Sequence, residues 1–458
     1  MKLSLAALQP WISGATVTGL AEFSGVSTNS KTIEPGNLFV ALRGERFDAH
    51  AFLGEVMDRG AAAVVVDHLP SGLKVPALVV RDTKVALGEI ANYWRRQFSV
   101  PVIGVTGSNG KTTVKEMLAS ILAAEFGEGH YLSTRGNLNN DIGVPLTIMR
   151  MDATHRAAVI ELGMNHRGEI ASLSCIAQPT VGLVNNAQRE HQEFMESVEA
   201  VAKENGSVIK ALPASGIAVF PADDPFTALW RSYAKSSGQR KTLTFGLSPD
   251  ANVTCTYQPN AFGSDLMVKV GQKEFPVRLS AVGTHNVRNA LAAIACALAI
   301  GVHRSAIVQG LEAFAPVAGR LQRKAARNGA LVIDDTYNAN PDSVRAAIDV
   351  LMQVPGPRIL ALGDMGEVGT EGRQFHIEVG AYAKGRGIDY LFTLGELAGH
   401  AGHAFGTRAK HFSDVDRLNQ EIEAILDPKA SVLVKGSRFM KMERVVQHLV
   451  GEQAKESH

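Results

Sequence analysis

"GVTGSNGKTT" occupies residues 104–113 and decides how the chain is read. It has the look of a phosphate-binding loop, yet it misses the usual spacing G-x-x-x-x-G-K-[ST]. Counting back five from Gly110 lands on Val105, and the glycines stand at Gly104, Gly107 and Gly110. The flanks supply what such a loop needs. "PVIGV" (101–105) reads as a buried strand, and Val114, Met117, Leu118, Ile121 and Leu122 recur at helical spacing until Gly127. Strand, glycine turn and helix start aim several backbone N–H groups at one point, where the helix N-terminus adds positive potential. Glycines let the backbone approach phosphate oxygens without a Cβ in the way. Lys111 can neutralise phosphate charge, and the Thr112 hydroxyl can ligate Mg²⁺. A dinucleotide site is the rival, but GxGxxG is absent and Lys-Thr has no part in that fingerprint.

Working outward, apolar runs alternate with helical segments. Before the loop, "LFVAL" (38–42), "AAAVVVD" (61–67) and "ALVVRD" (77–82) read as strands, and 83–98 reads as a helix. After it come "AAVIELG" (157–163) and "VGLVNNA" (181–187), then a small antiparallel excursion over 251–282 and a buried helix over 289–301. "ALVIDD" (330–335), "RILALGD" (358–364), "YLFTLG" (390–395) and "SVLVKG" (431–436) give four more strands. The 458 residues suggest two to four domains at roughly 100–200 residues each. The expected fold is α/β in three domains. A small N-terminal α/β substrate domain spans 1–83, a central P-loop ATPase-type parallel sheet 84–313, and a C-terminal Rossmann-like α/β domain 314–458.

Bulk properties exclude several classes. With 46 basic and 45 acidic residues, net charge is +1, which asks for neither nucleic acid nor a membrane surface. Cys175, Cys255 and Cys296 are far apart and form no CxxC pair, so neither a disulfide frame nor a zinc site is expected. The N-terminus lacks the long apolar core of a signal peptide, and no run approaches 18 apolar residues. The expectation is a cytoplasmic, monomeric chain.

In open α/β sheets, ligands collect beyond the carboxyl ends of the strands. There stand the loop itself, Glu161, Asn185 and Asn186 with His191 beyond, Asp334 and Asp335 with Tyr337 and Asn338, Gly363 and Asp364, and Lys435 with Ser437 and Arg438. Glu161 ends an otherwise apolar strand. A carboxylate there suits a second Mg²⁺ anchor beside the loop, while an isolated one would merely be solvated. His191 is ambiguous: a lone His is usually structural, and only its place past a strand makes it a candidate metal or substrate contact.

These motifs together resemble the Mur ligases of peptidoglycan synthesis and their folylpolyglutamate synthase relatives. The family spells its loop G-x-x-G-[TS]-N-G-K-[TS]-[TS], which matches 104–113 and accounts for the absent first glycine. "STNSKTIEPGNLFVALRGERFDAHAF" (27–52), "GNLNNDIGVPLT" (136–147), "ELGMNHRGEI" (161–170), "GTHNVRNALAA" (283–293), "GR" (319–320), "DDTYNANPDS" (334–343) and "KGSRFMKME" (435–443) are similar to further family signatures. "YNANPDS" (337–343) and "LGDMGEVG" (362–369) look like the branch that adds D-alanyl-D-alanine to UDP-N-acetylmuramoyl-tripeptide.

The resemblance implies ATP and Mg²⁺, with those two substrates as partners. It assigns Gly107, Ser108, Asn109, Gly110, Lys111, Thr112, Thr113, Asn289, Arg320 and Asp335 to ATP, with His285 near the adenine. Lys111, Glu161 and His191 become the catalytic set. Thr112 and Glu161 hold one Mg²⁺ and His191 a second. Thr28, Ser30, Asp48 and His50 fall on the uridine side, and Asn137, Asn140 and Thr147 on the substrate-carboxylate side. Asn338, Asn340, Lys435, Ser437 and Arg438 become contacts for the incoming dipeptide and the peptide. One departure stands out. Many members carry a carbamylated lysine about 14 residues after the metal-binding histidine, and that place falls on Asn205. Either Asn205 serves the second metal's water shell, or Lys203 substitutes on a shifted helix.

Overall fold

The computed structural model describes residues 1–451 apart from 45, 46, 191, 237, 239, 261 and 262, together with the backbone but not the side chain of Gln192. Three sheets of five or more strands are built in chain order among the described residues, beside two two-stranded pairs. The first has five strands in the order Thr16–Val17, Ala77–Val79, Ala63–Val66, Asn37–Val40, Gly25–Ser27, all parallel except the antiparallel first pair. Ala63–Val66 is buried along its whole length, as a central parallel strand with both faces covered should be.

The second sheet has nine strands, in the order Tyr131–Ser133, Ala157–Glu161, Val102–Thr106, Val181–Val184, Ile217–Pro221, Lys241–Phe245, Val253–Asn260, Gly263–Val270, Lys273–Leu279. The expected parallel sheet and the expected antiparallel excursion form one continuous sheet. Strands run parallel up to Val253–Asn260, and the 251–282 excursion extends the same sheet as an antiparallel meander. The third sheet has six strands, in the order Gln322–Ala325, Leu331–Asp335, Ser431–Lys435, Arg358–Gly363, Tyr390–Leu394, Ala409–Phe412, and only the first pair is antiparallel.

The second sheet positions the site. Val102–Thr106 lies between Ala157–Glu161 and Val181–Val184. The chain leaving Val102–Thr106 returns on one side and the chain leaving Val181–Val184 continues on the other, so the strand order switches between these two. A crevice opens at such a switch point. Helix Lys111–Phe126 packs on one face with Thr284–Ala299 and Arg304–Ala313. Thr284–Ala299 buries eleven of its sixteen residues, which fits its alanine-rich sequence. The other face shares a continuous core with the first domain through helix Thr83–Arg95, which Asp82 caps by accepting the N–H groups of Lys84 and Val85. That helix ends earlier than the expected 98. Arg95 is buried and donates to the carbonyls of Ala177 and Phe98, which closes the last turn.

Close helix contact beneath the loop gives a direct test. A Cβ on Gly310 would lie 2.4 Å from Ile121 Cα on helix Lys111–Phe126. Gly310→Ala should therefore push the two helices apart and cost about 1–3 kcal/mol in urea unfolding; an unchanged midpoint would contradict this packing.

Candidate active site

The loop that opens the sequence reading is held open by asparagines. Gly104 belongs to the strand, where a side chain would press on Pro179, Val208 and Leu162, and so takes no part in the turn. Gly107 (φ 133°) and Gly110 (φ 82°) make the turn in backbone regions that favour glycine. A Cβ on Gly110 would come within 2.4 Å of Asn289 Oδ1. Gly107 N–H donates to Asn205 Oδ1 (3.0 Å), Asn109 N–H to Asn186 Oδ1 (2.9 Å), and Ser108 N–H to the Asn186 carbonyl (3.2 Å). Asn185 Nδ2 donates both to the Asn109 carbonyl (2.8 Å) and to Asn289 Oδ1 (2.9 Å). These bonds fix the turn from outside, and the first-turn amides of helix Lys111–Phe126, which have no intrahelical acceptor, face the crevice. Lys111 Nζ lies over the loop, donating to the carbonyls of Gly107 (2.5 Å) and Ser108 (3.2 Å), with Glu190 Oε2 at 3.5 Å.

Beside the loop, Glu161 is 2% exposed at its strand end. Its Oε1 accepts from Thr112 Oγ1 (3.2 Å) and Asn139 Nδ2 (2.8 Å), while Oε2 is buried with no hydrogen bond. An orphaned buried carboxylate oxygen next to a hydroxyl is a hard-oxygen donor set that fits Mg²⁺. The Arg320 guanidinium, from the polypeptide leading into the third sheet, donates to Thr112 Oγ1 (2.9 Å) and stacks over Tyr337 at 4.1 Å.

A cavity of about 920 Å³ separates this wall from the third sheet. Its far side carries Asp335, Asn338, Asn340 and Lys435. Asp335 and Lys435 are register partners at the ends of adjacent parallel strands, and Lys435 Nζ donates to Asp335 Oδ2 (2.5 Å) and the Asn338 carbonyl (2.9 Å). Asn340 caps helix Pro341–Leu351 through Oδ1 and reaches back with Nδ2 to Asn109 Oδ1 (2.9 Å). His285 also lines the cavity. Burial pushes its pKa down to about 4, with Asp335 opposing and Lys435 adding to the shift, so the ring is neutral near pH 7.

The structure brings together on this cavity Ser108, Asn109, Gly110, Lys111, Thr112, Thr113, Asn137, Asn140, Glu161, Asn289, Arg320, Asp335, Asn338, Asn340 and Lys435 from the sequence expectations. Others lie elsewhere. Gly107 belongs to the turn but does not line the cavity. Thr147 is fully buried within helix Gly143–Ile148. Ser437 is spent on the Asp364 carbonyl (2.6 Å), and the exposed Arg438 pairs with Glu443. Thr28 and Ser30 follow strand Gly25–Ser27 in the first domain. His50 is fastened there by Asp48 (2.6 Å) and the Asp67 N–H (3.2 Å). His191 lies outside the described residues.

Asn289 is also less available than expected, since Oδ1 serves Asn185 and Nδ2 donates to Asn286 Oδ1 (3.0 Å). Asn139, Gln188 and Glu190 are cavity residues that sequence reasoning passes over. The run "NLNN" signals an asparagine-rich loop, but nothing in it says that Asn139 faces Glu161 while Asn140 turns to the amides of Ile142 and Gly143.

Residues 203 and 205 differ sharply in their surroundings. Lys203 is exposed and pairs with Glu199 at 2.7 Å. Asn205 is buried and its Oδ1 is committed to the loop amide. Asn205→Ala should leave Gly107 N–H without an acceptor, costing about 1–3 kcal/mol in urea unfolding and weakening ATP binding by titration. Lys203→Ala should change stability by less than about 0.5 kcal/mol. Loss of function at Lys203 that short-chain carboxylic acids rescue would contradict this assignment.

Comparison with known proteins covers nearly the whole chain. Family models match in chain order: "Mur ligase family, catalytic domain" at residues 22–95, "Mur ligase middle domain" at 105–297, and "Mur ligase, glutamate ligase domain" at 319–438. The UDP-N-acetylmuramoyl-tripeptide--D-alanyl-D-alanine ligase of Escherichia coli is 40% identical over 447 residues, covering 96% of this chain and 95% of the relative. The crystal structure of MurF from Acinetobacter baumannii superposes with a TM-score of 0.92 at 36% identity, covering 98% of this chain and 99% of that one. MurF ligase from Thermotoga maritima, solved in complex with ADP, gives 0.84 at 27% identity over 93% and 97%. With likeness sustained from end to end in both sequence and structure, the chain belongs to the Mur ligase family.

Proposed function

We propose that the chain is the ATP-dependent ligase that joins D-alanyl-D-alanine to UDP-N-acetylmuramoyl-tripeptide, giving the UDP-linked pentapeptide, ADP and phosphate during peptidoglycan precursor synthesis. The observation that carries this reading is one cavity with two unlike walls. A glycine-lysine-threonine loop with Glu161 forms one side, and a lysine- and asparagine-bearing strand end from another domain forms the other. A phosphate group and an amine-bearing partner can meet between them. Near-full-length identity to the Escherichia coli ligase supports the choice of substrates. Both walls come from one chain, so a monomer suffices. No helix of the described residues is long and apolar enough to cross a membrane, and a nucleotide-linked substrate with ATP suits a cytoplasmic reaction.

The chemistry follows from charge. An oxygen of the tripeptide's terminal carboxylate attacks the γ-phosphorus, the bond to ADP breaks, and an acyl phosphate forms. The dipeptide's free amine then attacks the acyl carbon, a tetrahedral intermediate collapses, and phosphate leaves as the amide forms. Carboxylate, triphosphate and acyl phosphate are all anionic, so the site must gather positive potential where they meet. Lys111, the helix N-terminus and Arg320 converge on that region. Thr112 and Glu161 would hold Mg²⁺, which supplies further neutralisation of phosphate charge. Lys435 and Asn338 on the opposite wall would orient the dipeptide. Holding the reactants in line accounts for much of the acceleration.

Incubation with ATP, Mg²⁺ and both substrates should give phosphate release that needs both, with a pentapeptide product by mass. Release that ignores the dipeptide would contradict the proposal. Lys111→Ala should lower kcat by at least roughly 10²–10³ while the thermal unfolding profile stays close to wild type; wild-type turnover would count against the assignment.

A further inference from the structure

Arg189 lies on the segment that follows strand Val181–Val184, immediately before Glu190, yet it does not line the cavity. Its guanidinium is held by two carboxylates, both from the C-terminal domain. Nε and Nη2 donate to Asp342 (3.2 and 2.7 Å), and Nη1 and Nη2 donate to Glu378 (2.7 and 3.0 Å). Arg189 N–H adds a bond to Asp342 Oδ2 (3.0 Å), and the guanidinium lies 5.5 Å from the Phe375 ring centre. The side chain is 21% exposed, and Arg345 buttresses Glu378 at 3.1 Å. Two-sided bidentate binding by a planar, permanently charged group is among the strongest polar contacts available to a side chain.

Its place in the seam sets it apart. Two further side-chain bonds reach across from the C-terminal side among the described residues, Arg320 to Thr112 and Asn340 to Asn109, and both end on residues of the phosphate loop. Nucleotide would compete for those. Arg189 binds helix Pro341–Leu351 at its first turn through Asp342, which lines the cavity, and helix Gly372–Arg386 in its body through Glu378, which does not; neither partner belongs to the phosphate loop. One covalent link further on, Glu190 Oε2 stands 3.5 Å from Lys111 Nζ.

We propose that Arg189 is the clasp that sets the C-terminal domain's position over the phosphate loop and ties that position to the Glu190–Lys111 pair. It is a positioning residue for the step in which the dipeptide attacks. The proposal rests on the ligase reading for its kinetic arm alone. Removing the guanidinium does more than delete a contact, because Asp342 and Glu378, which share it, are left as neighbouring like charges, with Arg345 still paired to Glu378.

The test compares full-length wild type with Arg189→Ala, Glu378→Gln and the double variant. We expect Arg189→Ala to lower kcat/KM for D-alanyl-D-alanine by roughly 5–150-fold, with the ATP Kd kept within about twofold. Small-angle X-ray scattering of the free protein should show a larger radius of gyration. The double variant should be no worse than Arg189→Ala, since neutralising Glu378 relieves the repulsion. Wild-type dipeptide kinetics together with an unchanged scattering profile would overturn the clasp, as would strictly additive losses in the double variant. Should Arg189→Ala fail to fold, Glu378→Gln alone must reproduce a weaker form of both effects, and its silence in both overturns the proposal. If wild type shows no dipeptide-dependent phosphate release, the ligase reading fails, and scattering by itself decides the clasp.

Discussion

Four asparagines hold the phosphate loop in a shape that its own backbone would not keep. Gly107 and Gly110 occupy conformations that cost glycine more ordering entropy than any other residue. Asn205, Asn186, Asn185 and Asn289 offset that cost with bonds to loop amides, to a loop carbonyl and to one another. Each comes from a different turn of the fold or a neighbouring position in it, so the loop is correct only when the strands, the 198–205 helix and the 284–299 helix are all in place. The amide side chain suits this task because it donates and accepts at one site and carries no charge that would repel or neutralise a phosphate.

The second constraint is that the loop is half of a site. The C-terminal domain reaches it through Arg320 on Thr112 and Asn340 on Asn109, and the Asp335–Lys435 pair faces it across the cavity. Asn340 does two jobs at once. It caps its helix with one amide atom and crosses the seam with the other, so local folding of that helix and docking of the domain share a residue. The Arg189 clasp lies behind, joining the same helix to the segment that carries Glu190. Chemistry at the loop is thereby made to depend on where a separate domain sits.

Much of this was legible in the sequence, because strand ends and glycine turns obey simple rules. The alternating apolar runs led to three α/β units, and the strand-end rule picked out Glu161, Asp335 and Lys435, which line one cavity. Long-range partnership was not legible. Arg189 belongs to no motif, and its two carboxylates lie 153 and 189 residues away. The strand Lys241–Phe245 escapes the reading because its sequence KTLTF has no apolar run and it is only partly covered, and Ile217–Pro221 escapes as well, although IAVFP is apolar and almost wholly buried. Ser437 looked like a site residue from its neighbours "KG" and "R", but its hydroxyl serves the Asp364 carbonyl. Asn205 looked like a gap in a metal site, and nothing in the sequence showed that its Oδ1 accepts from the Gly107 amide of the loop.

The central claim is that the phosphate held by this loop passes to a carboxylate before the amide forms. Labelling both oxygens of the tripeptide's terminal carboxylate with ¹⁸O tests it directly. Mass spectrometry of the released phosphate should find one ¹⁸O for every amide made. Phosphate free of label, with pentapeptide accumulating, would contradict the account.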